Sequence, residues 1–415
     1  MAYNASTVWE IRTTGSQDNG GGFADLVPGT SIDYSQQDSP QLVRTDIATD
    51  VAGTGISSAT GGFTAAMQGN IIHLTGGGST AGWYQITGYT SPNAVTIDRT
   101  AGSNKSGVTG NVGGTLTFGD LANKFTAWFV SGNIVYIKSG SYDVSGISHD
   151  ITFAGTPSIQ GYKIARGDTP TGSDRPSISL GANRKLRFTN AVAGGFVENI
   201  IFSGSRNPVV DIQASGVVFR NVKFYNSGAG DGRAVYQYSD GTTYVLCEFI
   251  STSGSALYAL STIYILYNCY LHNSKYGIED VSGGIGSTIL NSVIANCTAG
   301  IHTSSFHIPR LIGSVLYNCT TGYHGLYAAP REGAIINSII SECVTGANFT
   351  NPPTGTPVDH NCWYNTTDVN NLTKGPHDIS TNPLMVDPGN GDFRLAVGSP
   401  CFNAGLQLSS IVGVH

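Results

Sequence analysis

The sequence predicts an all-β chain whose larger part is a right-handed parallel β-helix, with a small β-rich module before it. Three observations predict this. An Asn-x-x-apolar tetrad recurs at intervals one coil long, a second apolar anchor follows each tetrad after a turn, and the composition suits tight turns between short strands. Gly supplies 55 of 415 residues and charged residues only 12%, as a long β surface requires and a helical globule does not. Hydrophobic residues make up 40%, enough to bury a core, so a disordered chain is excluded.

Residues 1–115 lack the repeat and carry glycine clusters such as Gly20-Gly21-Gly22 and Gly76-Gly77-Gly78. Between them lie strand candidates at Ile71–Thr75, Trp83–Thr87 and Ala94–Asp98, the last two joined through Ser91-Pro92-Asn93. This segment is expected to be a sandwich-like or barrel-like β module. Over 116–132 a helix is predicted, with Asp120 as N-cap, Leu121, Phe125, Trp128 and Phe129 on one face, and Gly132 just past the end. The following residues, Asn133-Ile134-Val135-Tyr136-Ile137-Lys138-Ser139-Gly140-Ser141-Tyr142, resemble the opening strand of pectate-lyase-like β-helix proteins, G-D-x-I-x-V-x-x-G-x-Y. In that family a helix caps the first coil, and a cap is physically needed because an open end exposes strand edges and apolar core.

The β-helix is expected over 133–405, with 406–415 as a tail. Its tetrads begin at Asn199, Asn221, Leu246, Asn268, Asn291, Gly313 and Asn337, at intervals of 22, 25, 22, 23, 22 and 24 residues. A short regular period without helical periodicity marks a β-solenoid. Leucine-rich repeats match in length but their L-x-x-L-x-L ladder is missing. The second anchors are Val210, Val235, Leu257, Ile278, Ile301, Tyr323 and Ala347. Cys247 and Cys269 stand one residue after a tetrad start, and Cys297, Cys319 and Cys343 six after, so the five should stack as inward thiols. The segment Asn382–Gly405 resembles the ending P-L-F-V-D-P-x-x-G-D-F-R-L-x-x-G-S-P-A-x-D-x-G shared by many β-helix repeat proteins of bacteria and phages, with Cys401 and Asn403 where Ala and Asp are usual.

A net charge of −6 argues against nucleic acid or anionic membrane as partner. No stretch of 18 apolar residues is present, so no membrane insertion is expected. The first residues show neither a basic n-region nor an apolar h-region, and a product without a signal peptide, made in a host cytoplasm, is expected. Reduced cysteines follow from that compartment.

Alternate strand residues point in and out, so the residue after each second anchor should face solvent. That column reads Asp211, Tyr236, Tyr258, Glu279, His302, His324 and Asn348. Aromatic rings beside carboxylate and imidazole are what a carbohydrate-binding surface uses, and the first six are the candidate glycan-binding residues. A solvated face with Tyr present for strand propensity is the plainer reading. For hydrolysis two carboxyls must lie roughly 5 to 9.5 Å apart. Asp211 and Glu279 are three coils apart, about 14 Å at the sheet spacing, and the neighbouring Asp280 should point to the opposite face. Glu279 with His302 is the remaining candidate acid/base couple. The clustered Asp of β-helix lyases and the N-T-D, D-D, G-H-G and R-I-K set of polygalacturonases are absent. His302 and His324 lack an evident third ligand, so no metal and no cofactor is expected. Arg166-Gly167-Asp168 spells an integrin tripeptide, by chance on this reading.

The layout looks like bacteriophage tailspike and head-decoration proteins. That resemblance implies a virion structural protein on capsid or tail, a homotrimer mounted on other virion proteins through its N-terminal module, with a glycan as possible ligand. The alternative is a polysaccharide lyase or glycoside hydrolase of the same fold.

Overall fold

In a computed structural model the described residues are 6–118, 132–147, 150–153, 158–189, 194–260, 262–281, 286–305, 307–326 and 333–405. The chain forms two compact units, Met1–Ile178 with Glu198–Ile200, and Ser179–Val197 with Ile201–His415. Asp120, Leu121, Phe125, Trp128 and Phe129 of the expected capping helix, and the tail 406–415, lie outside the described residues. Among those described, helical structure is confined to three-residue 3-10 turns.

In the first unit six antiparallel strands close into a barrel, in the order Leu42–Thr49, Gly55–Ser58, Ala94–Ile97, Gly82–Ser91, Ile71–Gly76 and Val108–Val112. The three strands read from the sequence are among them. Ile47, Ile56, Ile72, Leu74, Ile86, Val108 and Val112 fill the barrel. Closure removes the free edges that a six-stranded open sheet would present.

One strand of residues 1–115 has a different place. Val8–Ile11 pairs in parallel with Ile134–Lys138, which pairs in parallel with Ser158–Tyr162. The outer edge of Val8–Ile11 is in turn covered by Gly22–Phe23, antiparallel. The first strand thus belongs to the parallel ladder and covers the edge of the strand expected to open it, a covering the sequence assigned to a helix. Trp9 Nε1 donates to Asn133 Oδ1 at 3.0 Å. Beside it Glu10, fully buried, accepts from Arg12 Nε at 3.0 Å, from Arg166 Nε at 2.7 Å and from the Tyr162 hydroxyl. Burial and the neighbouring Glu10 push the Tyr162 phenol up. Arg166 also reaches Asp33 at 2.7 Å, and Asp168 accepts from the backbone N–H groups of Lys163 and Ile164, so the Arg-Gly-Asp tripeptide is occupied with local structure.

The second unit is a stack of coils built from three parallel ladders. One runs from Val218–Arg220 to Val358–Asp359, one from Ile201–Gly204 to Cys362–Tyr364, and one from Leu186–Phe188 to Thr367–Asn370. The tetrads explain the first corner. Asn199, Asn221, Leu246, Asn268, Asn291, Gly313 and Asn337 all have φ between 47° and 59°. Asn tolerates this left-handed conformation and Gly has no Cβ to clash, which is why these residues recur there. An eighth corner follows 23 residues after Asn337 at His360, φ 58°, with Trp363 as its apolar partner. The tetrad's apolar residue is the interior rung of the second ladder, Phe202, Phe224, Phe249, Leu271, Ile294, Leu316, Ile340 and Trp363 in register. All are at most 2% exposed, and the Phe224 and Phe249 rings stack at 4.9 Å.

The interior also holds polar groups. Tyr244 donates to Gln237 Oε1 at 3.0 Å, and Tyr323 to the Pro309 carbonyl at 2.8 Å. Asp280 points inward, 1% exposed, in register with Ala259 and Thr303. It accepts from Tyr264 at 3.3 Å while its Oδ1 has no partner. Burial pushes its carboxyl up to about 7. All seven cysteines are free thiols, and the five in register are buried.

Leu246 is the one aliphatic side chain in this left-handed corner among the described residues and is 54% exposed, so it gains little from packing. Leu246→Asn should raise stability by about 1 kcal/mol, read as a higher urea midpoint at unchanged slope. The Asp280 carboxyl titrates near 3.9 unfolded and near 7 folded. Between these values the folded state binds more protons, so Asp280 lowers stability as pH rises from 4 to 7 and adds no slope above. Asp280→Asn should remove that slope and gain up to about 4 kcal/mol over the wild type on going from pH 4 to pH 7.5. Parallel curves for the two proteins in urea melts at several pH values would refute it.

Candidate functional site

The third ladder aligns the residues read from the sequence as one column. Arg187, Asp211, Tyr236, Tyr258, Glu279, His302, His324, Asn348 and Asn370 occupy successive rungs. Their surroundings depart from a free solvent-facing stripe. Asp211 is 3% exposed, held by Lys185 Nζ at 2.8 Å and by Arg187 Nε at 3.3 Å from the preceding rung. It therefore serves an ion-pair cluster instead of offering a free carboxylate. The cause is the rung before the first repeat, where a basic residue meets it at strand spacing.

Tyr236 and Tyr258 stack on each other, centroids 4.7 Å apart and planes within 10°. The Arg233 guanidinium lies 3.6 Å above the Tyr258 ring, and Tyr238 meets Tyr236 edge-on at 4.2 Å. One face of each ring is thus given to the other, and Arg233 and Tyr238 take further ring surface that was expected to receive a sugar. Burial, then the Tyr238 contact, push the Tyr236 phenol up, so it remains a hydrogen-bond donor at neutral pH.

Glu279 accepts from the Ser255 hydroxyl. His302 stands on the next rung, stacked on Tyr276 at 4.4 Å, with its Nδ1 3.2 Å from His324 Nδ1. Burial first, then His324 and Lys275, bring His302 down to about 4, and burial lowers His324 as well. Both imidazoles are neutral at pH 7, one donating to the other. The hydrogen bonds join Glu279 to Ser255 and His302 to His324, and among the described residues none joins Glu279 to His302. Asp280, inside the coil, cannot complete a carboxyl pair with Glu279.

The sequence reading missed a groove beside this column. Asn273, Asn296, Asn318 and Glu342, each five residues after a tetrad start, take a second left-handed corner with φ of 50–56°. This corner separates the second ladder from the third. Asn318 Nδ2 donates to Asn296 Oδ1 at 2.8 Å, an amide ladder along the corner. With Thr252, Ser253, Lys275, Thr298, Thr320 and Val344 these residues line an open cavity of about 570 Å³. A second of about 310 Å³ adjoins it through Glu342 and Val344 and includes Tyr364, Asn365 and Thr366. Lys275 lies at the groove's edge, its Nζ 3.2 Å from Asp231 Oδ1 and 5.0 Å from the ring centroid of Tyr276, on which His302 of the column stacks. Hydroxyls and amides in a row, with one cation and one carboxylate, give donors and acceptors to a polyhydroxylated ligand. The signal was present in the sequence as the recurrence of Asn at the fifth position.

No protein-family profile and no curated protein matches the chain. Among solved structures it is similar to the pectate lyase Pel9A, at 13% identity over 72% of this chain and 88% of that one, TM-score 0.45. It is also similar to the catalytic domain of a GH87 alpha-1,3-glucanase, 10% identical over 90% and 95%, TM-score 0.27. A third is the tailspike protein gp49 from Pseudomonas phage LKA1, 10% identical over 84% and 64%, TM-score 0.22. The three parallel ladders by themselves make this chain a parallel β-helix.

Proposed function

We propose that this protein adsorbs an extended glycan without cleaving it, as a β-helical surface protein of a bacteriophage particle. One observation carries the adsorption reading. The groove lined by Asn273, Asn296 and Asn318 repeats the same amide and hydroxyl chemistry from coil to coil, which suits a ligand that itself repeats. Its flank, from the Tyr236 and Tyr258 hydroxyls to the His302–His324 pair, adds donors and acceptors that stay uncharged at neutral pH. The negative net charge favours neutral or cationic glycans over acidic ones.

The non-catalytic part rests on the carboxylates of the column. Asp211 is sequestered by two cations, Asp280 is interior, and Glu279 has neither a second carboxyl on an adjacent rung nor a bond to His302. A glycosidase needs a positioned acid with a base or nucleophile, and among the described residues of this column no two carboxylates form such a pair. The placement on a virion, the trimer and docking through residues 1–115 belong to the same proposal. The barrel suits an attachment element, and a coil stack with its backbone groups paired between rungs suits a protein that must persist outside a cell.

A panel of immobilised bacterial surface polysaccharides tests the reading. The wild type should retain at least one glycan. Lys275→Ala combined with Glu342→Asn, the second keeping the residue found on neighbouring coils, should weaken retention about tenfold, the loss of one to two net hydrogen bonds. Retention of none, or an unchanged affinity in the double variant, sinks the groove as the site. Shortening of the polysaccharide that disappears in Glu279→Gln would replace adsorption with catalysis. Presence of the chain on purified particles, and a trimeric mass in solution, check the remaining parts.

A further inference from the structure

The eighth corner of the coil stack differs from the others in carrying an imidazole. His360 stands where Asn337 and Asn291 stand in earlier coils, with the same left-handed backbone, φ 58°. Its ring stacks on that of His377, centroids 4.5 Å apart and planes within 22°. Between them lies one carboxylate. Asp359 Oδ2 is 2.9 Å from His377 Nδ1 and 3.4 Å from His360 Nδ1. The potential donor atoms of the three residues all lie within 4.8 Å of one another.

We propose that Asp359, His360 and His377 form a binding site for a divalent transition cation of the zinc class. The spacing fits. Zinc at 2.0–2.1 Å from each ligand in tetrahedral geometry sets donor atoms about 3.3 Å apart, and two of the distances here bracket that value. The donor set, two imidazole nitrogens and one carboxylate, selects zinc, cobalt or nickel over calcium or magnesium, which take oxygen ligands. The three side chains leave a further position for water, since catalytic and other open zinc sites use three protein ligands.

The site is also held in place before any ion arrives. Asp359 Oδ1 accepts the backbone N–H groups of His360 and of His377, both at 2.9 Å, which fixes the carboxylate and both segments. Gly375 allows the second segment to approach, for a Cβ there would sit 2.0 Å from the Val358 carbonyl oxygen and 2.6 Å from Asp359 Oδ1. Backbone bonds from Gly375 to Asp378 Oδ2 and from Asn361 to Asp378 Oδ1 tie the same loop to the coil. An ion in the site would clasp the segment 375–379 to the corner at His360.

Cobalt(II) titration of the full-length chain after removal of metal with a chelator tests the site. One equivalent should bind with appearance of visible d–d absorption, and zinc should displace it. His377→Ala, at an exposed side chain, and His360→Asn, which restores the residue of the other corners and so keeps the turn, should each weaken cobalt binding at least tenfold. Absence of the absorption at stoichiometric cobalt overturns the proposal. So does unchanged binding in both variants, or loss of binding in His324→Ala instead, which would place the ion on the His302–His324 pair.

Discussion

Parallel strands paired rung to rung, about 4.8 Å apart, set the terms for every other feature of the second unit. At that spacing each side chain meets its counterpart one coil away, so a residue is chosen as much for its neighbours in the column as for its own position. Large apolar side chains satisfy the rule inside, where Phe202, Phe224 and Phe249 follow one another. Outside, the rule is electrostatic. Two like charges one rung apart repel by about 1 kcal/mol in water and several times that near protein. The column answers with alternation and neutrality, Arg187 against Asp211, two phenols, then Glu279 followed by two imidazoles that stay uncharged.

Some interior polar groups find a partner within their own coil. Gln237 finds Tyr244, and Tyr323 finds a carbonyl. Asp280 finds one hydroxyl for two oxygens, and burial raises its carboxyl. The cysteines are small enough to follow each other in register and hydrophobic enough to need no partner, and they serve as core.

Corners, more than strands, give the unit its chemistry. A strand's outward side chains are tied to their rung neighbours, as the stacked Tyr236 and Tyr258 are to each other. At a left-handed corner the chain turns away and leaves backbone and short polar side chains facing solvent. The Asn273–Glu342 corner opens the groove, and the Asn221–His360 corner ends in the Asp359, His360, His377 cluster.

Much of this was written in the sequence. A parallel ladder has a fixed period, so the tetrads and second anchors specified which residues share a rung, and the column from Asp211 to Asn348 is aligned as the spacing required. Left-handed corners admit few residue types, so Asn and Gly marked them, although the corner at His360 escaped because imidazole is no turn signal. What lies beside each rung is another matter. Lys185 and Arg187 closing over Asp211, Arg233 covering Tyr258, Val8–Ile11 reaching across more than 120 residues to Ile134–Ile137, and His377 meeting His360 all depend on contacts between segments with no shared period. Periodicity determines register because it is repeated locally along the chain. Burial, charge and ligand geometry are decided only when the folded chain brings unrelated segments together.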